Sequence, residues 1–262
     1  MASSPSSKLA DEPASPRGLD AVIVAVGNVA FGYRDYISPI SIALVVLLTA
    51  PRPFLGNRAL DPWWDLAGVL VSLGGQSLRA LVIGLAYIQR GGKNKQIAAD
   101  TLVVDGIFAH ARHPLYVGNS LLPIGLMMIW NSPGGYLVAA VLIGGLFCMA
   151  RAEEVFLRGK FGAAFDDYCA RVPRFLPNLR GLRQTLARFS FDWKRLVRKE
   201  YGTTFTWTTA AILLMVLERL AWDGAAAAAP ALIRLGAVWL TLAGAWGTAR
   251  WLKMTRRLRS RD

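Results

Sequence analysis

The chain has 262 residues, of which 54% are hydrophobic and 18% are charged, and its formal net charge is +13. Two cysteines exclude a disulfide-rich scaffold, and the high apolar content excludes an intrinsically disordered chain. The apolar residues form long uncharged runs, which are typical of a membrane protein and argue against a soluble enzyme.

The amino-terminal segment, residues 1–20, is rich in serine and proline and is predicted to be a disordered tail. It contains no apolar core, so we do not expect a cleaved signal peptide. The first membrane helix region follows at residues 21–62. Its uncharged run at about 36–50 predicts a short span, and residues 21–33 predict a separate interfacial or re-entrant piece.

The rest of the chain predicts further membrane spans. Residues 114–150 contain no Asp, Glu, Lys or Arg over 37 positions, and a turn at 131–135 divides them. Because about 20 apolar residues cross a bilayer, this run predicts two spans joined by a tight turn. With it, six spans are expected, at about 36–50, 63–88, 115–131, 135–152, 203–222 and 231–252. The predicted fold class is therefore an all-α polytopic membrane helical bundle.

Basic residues indicate the orientation of this bundle. With the amino terminus inside, the inner segments carry 23 lysines and arginines, whereas the outer loops carry two. This asymmetry predicts an integral membrane protein whose two termini and large loops are cytoplasmic. The positive charge is thus mainly a topology signal that also attracts anionic lipid heads, and it gives little support to nucleic-acid binding.

Residues 182–202 have a pattern of their own. Leucine, phenylalanine and tryptophan recur at steps of three and four residues, with arginines and lysines between them. This spacing predicts a basic amphipathic helix that lies on the inner leaflet.

Two predicted cytoplasmic loops bring opposite charges to the same end of the helical bundle. Arg112 and His113 precede Pro114, which the first turn of a helix tolerates, so they lie at a helix amino terminus that favours an anionic group. Glu153 and Glu154 follow the two-span hairpin, which returns the chain to the same membrane face. The cationic side chains could bind a carboxylate of a ligand. The acidic side chains could bind its ammonium group or its ribose hydroxyls. Together they suit a zwitterionic small molecule.

These loops carry an ordered set of motifs. The first loop reads Leu102-Val103, then Gly106-Ile107-Phe108, then Arg112-His113-Pro114-Leu115-Tyr116-Val117-Gly118. After the hairpin come Glu153-Glu154, Phe161-Gly162, Tyr168, Arg171-Val172-Pro173-Arg174-Phe175 and Pro177. In this order, over about residues 66–178, the chain resembles the isoprenylcysteine carboxyl methyltransferase and phospholipid N-methyltransferase superfamily. Its members are integral membrane enzymes that use S-adenosylmethionine as the methyl donor.

The resemblance assigns roles to particular residues. Those implied to bind the donor are Arg112, His113, Pro114, Tyr116, Gly118, Glu153, Glu154, Leu102 and Gly106. Of these, His113 would face the donor's carboxylate, and Glu153 and Glu154 would face its amino group or ribose. Gly118 would allow the donor to approach closely, because a side chain there would block it. The residues implied to act catalytically, at the acceptor, are Arg171, Arg174, Tyr168 and Arg79.

The resemblance also divides the chain. It implies a methyltransferase core at residues 63–181, with its catalytic loops in the cytoplasm. Residues 203–262 form an additional transmembrane hairpin and a basic tail outside the common core. A membrane lipid or a lipidated molecule is the implied partner, and the oligomeric state stays open.

The motifs do not decide which group accepts the methyl group. An isoprenylcysteine-like carboxylate and a phospholipid amine are both compatible with them. Arg171 and Arg174 slightly favour the carboxylate. An amine would have to lose a proton, which Glu153, Glu154 or Tyr168 would take. Two other functions are alternatives: a membrane reductase of the sterol-reductase type that uses NADPH, and a non-catalytic membrane protein that kept the fold.

Two further expectations concern charged or titratable side chains. Arg79 lies deep in its predicted span, where it would either snorkel or pair with Glu153, Glu154 or a substrate anion. His110 and His113 are three residues apart, but the chain has no other histidine, so a zinc site is not expected.

Overall fold

The computed structural model describes residues 16–85, 97–188 and 190–258 of the chain. Within them lie seven α-helices: α1 Leu19–Leu48, α2 Asp61–Leu85, α3 Pro114–Trp130, α4 Pro133–Phe161, α5 Ala163–Arg171, α6 Leu182–Arg188 and α7 Trp193–Met254. Two short 3-10 turns, Phe54–Gly56 and Gly106–Ala109, lie in the connections. The described residues form no β-strand, so the all-α class predicted from the sequence is confirmed.

The amino-terminal part of the fold differs from the prediction. Most of the predicted disordered tail lies outside the described residues, which begin at residue 16. α1 is one continuous helix, so the predicted division into a piece at 21–33 and a short span at 36–50 is wrong. The sequence placed a boundary at the adjacent charges of Arg34 and Asp35. The helix continues through these charges, which lie 3.8 Å apart.

The apolar helices have the lengths that a membrane requires. Among the described helices, α1, α2, α4 and α7 are long and apolar enough to cross a membrane, and α3 is a shorter apolar helix. α7 divides at Gly224, whose φ of 72° and ψ of 169° are not helical. Its two parts contain the predicted spans at 203–222 and 231–252. Large apolar side chains such as Leu47 and Leu240 are exposed on the outer faces, as expected where lipid surrounds a bundle.

Glycines let α2 and α3 pack backbone against backbone. A Cβ atom at Gly68 would lie 2.6 Å from the carbonyl oxygen of Gly125, and one at Gly75 would lie 2.7 Å from the carbonyl oxygen of Gly118. Small residues commonly permit such close approach between membrane helices. This packing fixes the amino-terminal half of α3 beside the carboxyl-terminal half of α2.

α3 and α4 form the predicted hairpin. Asn131 ends α3 in the left-handed conformation, with a φ of 44°. Ser132 then caps α4, because its hydroxyl accepts the N–H of Gly135 at 3.0 Å. The hairpin thus returns the last turns of α4 to the end of the bundle at which α3 begins.

The predicted amphipathic helix at 182–202 is not a single helix. α6 and α7 are separate, and α7 continues directly into the following span. Asp192 explains the interruption, because its carboxylate caps α7 by accepting the N–H of Arg195 at 2.9 Å. Its own N–H donates to the carbonyl of Gly84 at 2.9 Å, which anchors the start of α7 to α2.

Candidate active site

The loop before α3 and the last turns of α4 meet at one end of the bundle. Nη1 of Arg112 lies 3.0 Å from Oε1 of Glu154. Nε2 of His113 lies 3.3 Å from the same oxygen, and Nδ1 of His113 lies 3.5 Å from Oε2 of Glu153. The cationic and the acidic pair therefore contact each other across the hairpin, and together with Arg174 they form what we call the charged cluster.

Glu154 is the centre of the charged cluster. Its side chain is 1% exposed. Besides contacting Arg112 and His113, it accepts hydrogen bonds from Arg174, at 2.9 Å from Nε and 2.7 Å from Nη2. Three cationic side chains thus surround one buried carboxylate, which holds them in fixed positions. The oxygens of Glu154 are bound by the protein's own cations, and its expected contact with the donor stays a prediction.

The segment after α5 folds back over the loop before α3. The N–H groups of Arg112 and His113 donate to the carbonyls of Pro173 and Arg174, both at 2.9 Å. Arg174 therefore helps to build the charged cluster, whereas it was expected at the acceptor's head group. Arg171 is exposed, and its Nε donates to the carbonyl of Asp167 at 3.1 Å, so it lies outside the charged cluster.

A cavity of about 650 Å³ lies beside the charged cluster, and its volume is within the range of small-molecule sites. Helices α1, α3, α4, α5 and α7 and the loop before α3 contribute to its wall. The predicted site residues on this wall are Leu102, Arg112, His113, Pro114, Tyr116, Glu153 and Tyr168. Those that do not line it are Arg79, Gly106, Gly118, Glu154, Arg171 and Arg174.

The cavity wall carries charges of both signs. Its cationic members include Arg112, His113 and Lys199, and its carboxylates include Glu153. Burial alone would lower the pKa of His113, but the hydrogen bonds and negative charges of Glu153 and Glu154 outweigh burial and raise the pKa above its usual 6.5. The imidazole therefore favours its cationic form. Glu153 is 34% exposed and is the carboxylate that the acidic pair offers to the cavity.

Tyr168 is a hydrogen-bond donor within the fold. Its hydroxyl donates to the carbonyl of Phe108 at 2.7 Å, and burial raises the pKa of the phenol above its usual value. A phenol held in its protonated form does not suit the proton-accepting role that was considered for an amine acceptor. Beside it, Sγ of Cys169 accepts a hydrogen bond from Nη1 of Arg112 at 2.8 Å.

Arg79 is buried between helices and does not snorkel. Its Nε and Nη2 each donate to the carboxylate of Glu200 at 2.9 Å, and its Nη1 donates to Asn119. Gln76 donates to the same carboxylate at 3.2 Å. The carboxylate that pairs with Arg79 is thus that of Glu200, whereas Glu153 or Glu154 was expected. The reason is that α7 packs against α2 where Arg79 lies. Asn119 lies on the cavity wall and connects Arg79 with the site.

Two predicted site glycines serve the fold. A Cβ atom at Gly118 would lie 2.7 Å from Cγ of Arg79 and 2.8 Å from the carbonyl oxygen of Gly75. Gly118 therefore permits the close approach of α2, and its expected contact with the donor stays a prediction. Gly106 has a φ of 64°, a conformation that favours glycine, and it begins the turn before the charged loop.

His110 likewise serves the fold. Its Nδ1 lies 2.6 Å from the carbonyl oxygen of Asn178, and its Nε2 lies 2.9 Å from the hydroxyl of Thr185. Both ring nitrogens are thus used to tie the loop before α3 to α6 and the segment that leads to it.

The sequence analysis missed several residues of the cavity wall. These are Phe31, Arg34 and Asp35 of α1, Asn119 of α3, and Lys199 and Thr203 of α7. Charges inside an apolar segment often mark a functional position, so Arg34 and Asp35 carried a usable signal. Glu200, immediately before the predicted span at 203–222, carried a similar signal for α7. Lys199, from the predicted amphipathic helix, and Thr203, from the segment expected outside the core, therefore help to complete the cavity.

Comparison with known proteins identifies the segment that builds this site. Residues 68–164 match the family model described as phospholipid methyltransferase. The protein-S-isoprenylcysteine O-methyltransferase of Rattus norvegicus is 31% identical over 124 residues, which are 46% of this chain and 44% of the relative. The protein of the same name from Schizosaccharomyces pombe is 31% identical over 110 residues, which are 39% of this chain and 45% of the relative. No solved structure matches the chain significantly.

A relative with a different name matches a similar length. The cobalt-zinc-cadmium resistance protein CzcN of Cupriavidus metallidurans is 30% identical over 140 residues, which are 52% of this chain and 62% of the relative. The chain spans about half the length of these curated relatives. The family match contains most of α2, all of α3 and α4, and the loop with Arg112 and His113. The match and these relatives agree with the superfamily that the motifs resemble.

Proposed function

We propose that this protein is a membrane methyltransferase that transfers a methyl group from S-adenosylmethionine to a lipid-like acceptor. One observation carries the proposal: the charged cluster and the cavity beside it are built largely from the motif residues, on the segment that matches a methyltransferase family. We also propose that this end of the bundle faces the cytoplasm, as the distribution of lysine and arginine along the chain indicates.

The wall of the cavity fits a donor that carries an amino-acid head. Arg112 and His113 offer positive charge to its carboxylate, and Glu153 offers negative charge to its amino group. Leu102 and Phe108 offer apolar surface to its adenosine. The mixed charge of the wall would be unnecessary for a purely apolar ligand.

In this proposal the protein contributes orientation and a dry environment. When bound, the donor supplies an electrophilic methyl group on its sulfonium sulfur. Glu154 fixes Arg112 and His113 before any ligand enters, so these cations lose little freedom on binding. The side chains of His113 and Tyr168 are almost completely buried, and the wall they form keeps water from the reacting atoms.

We propose an isoprenylcysteine-type carboxylate as the acceptor. Several of the relatives are named for O-methylation of isoprenylcysteine. A carboxylate attacks the methyl group through oxygen without losing a proton, so no general base is required. Arg171 is exposed and pairs with no carboxylate among the described residues, and it is proposed to meet the acceptor's negative charge. The reductase alternative is not favoured, because the family match and the relatives named above include no reductase.

A methyl-transfer assay separates the acceptor classes. The purified protein in lipid vesicles is incubated with methyl-labelled S-adenosylmethionine and with either an S-farnesylated cysteine or phosphatidylethanolamine. We expect the label in the cysteine compound and its release as methanol by alkali, because alkali hydrolyses an ester and spares an N-methyl group.

The controls separate the parts of the proposal. His113→Ala should weaken the binding of S-adenosylhomocysteine at least about tenfold, which corresponds to about 1.4 kcal/mol. Label in phosphatidylethanolamine would reject the carboxylate acceptor and keep the methyltransferase. A wild-type protein that binds no S-adenosylhomocysteine would reject the proposed function as a whole.

A further inference from the structure

Three buried carboxylates converge at the end of the bundle away from the cavity. Asp61 and Asp65 lie in the first turns of α2, and Glu218 lies in α7, shortly before the break at Gly224. Each offers one oxygen, and these oxygens all lie within 4.8 Å of one another. The residues are 1%, 7% and 1% exposed. Asp61 precedes Arg79 by 18 positions, which is about 27 Å along α2, so this acidic triad is remote from the active site.

Most of the oxygens in the acidic triad have no donor. Oδ1 of Asp61 accepts the N–H of Phe54 at 2.9 Å. Oδ2 of Asp61, Oδ1 of Asp65 and both carboxylate oxygens of Glu218 have no hydrogen-bond partner within the described part of the chain. Glu218 is therefore a fully buried side chain that offers an oxygen to the acidic triad and receives no hydrogen bond from a donor in the described part of the chain.

No protein cation in the described residues forms an ion pair with the acidic triad, and Arg219 acts on Asp65 and Glu218 only from a greater distance. Over residues 16–85, 97–188 and 190–258, no lysine, arginine or histidine nitrogen lies within ion-pairing distance of Asp61, Asp65 or Glu218. The nearby Arg58 donates instead to Asp223, at 3.4 Å, and to the carbonyl of Trp222. Unpaired buried carboxylates are costly, so their charge must be balanced by a cation or removed by protons.

We propose that Asp61, Asp65 and Glu218 bind one divalent metal cation, with Ca²⁺ preferred. Three oxygens within 4.8 Å of one another can all lie about 2.8 Å or less from a common centre, close to the 2.3–2.6 Å of calcium–oxygen bonds. Mg²⁺ requires about 2.1 Å and a stricter octahedron, which the acidic triad reaches only by contracting. Four oxygens without a donor, together with water, approach the six to eight ligands that Ca²⁺ takes.

A cation bound by the acidic triad would link two helices, α2 and α7, that are far apart along the chain. α2 belongs to the segment that matches the methyltransferase family, whereas α7 lies beyond it. The ion would join the start of α2 to α7 at one end of the bundle, while the Arg79–Glu200 pair joins them nearer the cavity. The metal therefore stabilises the packing of the carboxyl-terminal segment against α2.

Metal binding to the full chain in detergent tests this proposal. After treatment with a chelator, the protein is titrated with radioactive Ca²⁺, and its thermal unfolding is followed with Ca²⁺, Mg²⁺ or Mn²⁺ added. We expect one saturable Ca²⁺ per chain and a rise in the unfolding temperature that is larger with Ca²⁺ than with Mg²⁺.

Two isosteric variants and a matched control make the test specific. Glu218→Gln and Asp65→Asn should each weaken Ca²⁺ binding at least tenfold and remove the Ca²⁺-dependent rise. Without Ca²⁺ these variants should be at least as stable as the wild type, because each removes negative charge, so loss of the fold cannot imitate the result. Asp223→Asn, five residues beyond Glu218 on α7, should keep full binding. Absence of saturable Ca²⁺ binding in the wild type, or an unchanged rise in Glu218→Gln, would overturn the proposal in favour of carboxyl groups neutralised by protons.

Discussion

At the scale of the residue, Glu153 and Glu154 show how neighbours in a helix acquire different roles. Glu154 faces the interior of the bundle and binds three cationic side chains, whereas Glu153 faces the cavity and contacts only His113 among the cations of the charged cluster. Successive residues of an α-helix point about 100° apart, so the two carboxylates contact opposite sides of the His113 ring and only one of them also reaches Arg112 and Arg174. The division of roles follows from this geometry.

The first prediction compares these two carboxylates. Glu154→Gln should destabilise the protein by about 3 kcal/mol, because it leaves Arg112 and Arg174 without their buried counter-charge. Glu153→Gln should cost clearly less stability, because Glu153 is partly exposed and pairs only with His113 in the charged cluster, and it should weaken donor binding at least about tenfold. Unfolding by sodium dodecyl sulfate in mixed micelles, and titration with S-adenosylhomocysteine, measure the two effects. Equal loss of stability in both variants would contradict the division of roles.

The second prediction concerns pH and His113. Its pKa is raised in the folded protein, so the charged imidazole stabilises the charged cluster fully below its unfolded pKa of about 6.5. This stabilisation is lost as the pH rises through the higher folded-state pKa. Donor affinity and stability should therefore both fall above neutral pH, measured between about pH 6 and pH 9.

A variant tests the source of this pH dependence. His113→Asn keeps a polar side chain but removes the titration, so its stability should vary less with pH than that of the wild type over the same range. A wild-type profile that rises with pH above neutrality would show that the carboxylates do not hold the imidazole in its cationic form.

At the scale of the element, the pairing of α2 with α3 decides where the charged loop lies. Gly125 faces α2, and a Cβ atom there would meet the carbonyl oxygen of Gly68 and the hydroxyl of Ser72. Backbone atoms cannot move aside as the end of a flexible side chain can. The spacing of the two helices, and hence the position of His113 at the start of α3, depends on the absence of side chains at this contact.

The third prediction tests this contact with two glycines. Gly125→Leu should destabilise the bundle by at least about 2 kcal/mol, because the added side chain separates α2 from α3. Gly144→Leu on α4 is the matched control, since nothing lies within 4 Å of its added Cβ and the position is exposed. Both variants gain the same helix propensity, so their difference measures packing. Equal stability of the two variants in mixed micelles would refute the argument.

At the scale of the whole molecule, α7 is joined to the core through a buried ion pair. Arg79 and Glu200 are 4% and 3% exposed at the side chain, and two of their contacts measure 2.9 Å. Lys199 and Thr203, on either side of Glu200, line the cavity. The carboxyl-terminal segment therefore helps to shape the site although it lies outside the family match.

The fourth prediction tests the buried pair by a double-mutant cycle. Glu200→Gln alone should cost about 3–5 kcal/mol, because it leaves the guanidinium of Arg79 buried without a counter-charge. Combining Arg79→Met with Glu200→Gln should recover a large part of that loss. Unfolding in mixed micelles gives the coupling free energy. Additive losses in the double variant would show that the pair does not join α7 to the core.

The sequence by itself determined the class of the molecule and the residues worth examining. Long apolar runs require helices, because a bilayer core offers no water to backbone N–H and C=O groups. The order of the motifs then pointed to the superfamily that the chain resembles, and the hairpin placed Arg112 and His113 on the same face as Glu153 and Glu154. The class and the placement of the charged pairs depend on local composition and chain direction, which a sequence states directly, and the superfamily depends on the resemblance of the motifs.

Only the tertiary structure decided which side chain each charged group binds. Arg79 pairs with Glu200, and Arg174 pairs with Glu154. Gly118 permits the close approach of α2, whereas the sequence predicted a contact with the donor. Nothing in the spacing along the chain specifies these choices, because they depend on the rotation of each helix about its axis and on the depth at which helices cross. Helix packing fixes both quantities, and it involves residues far apart in the sequence.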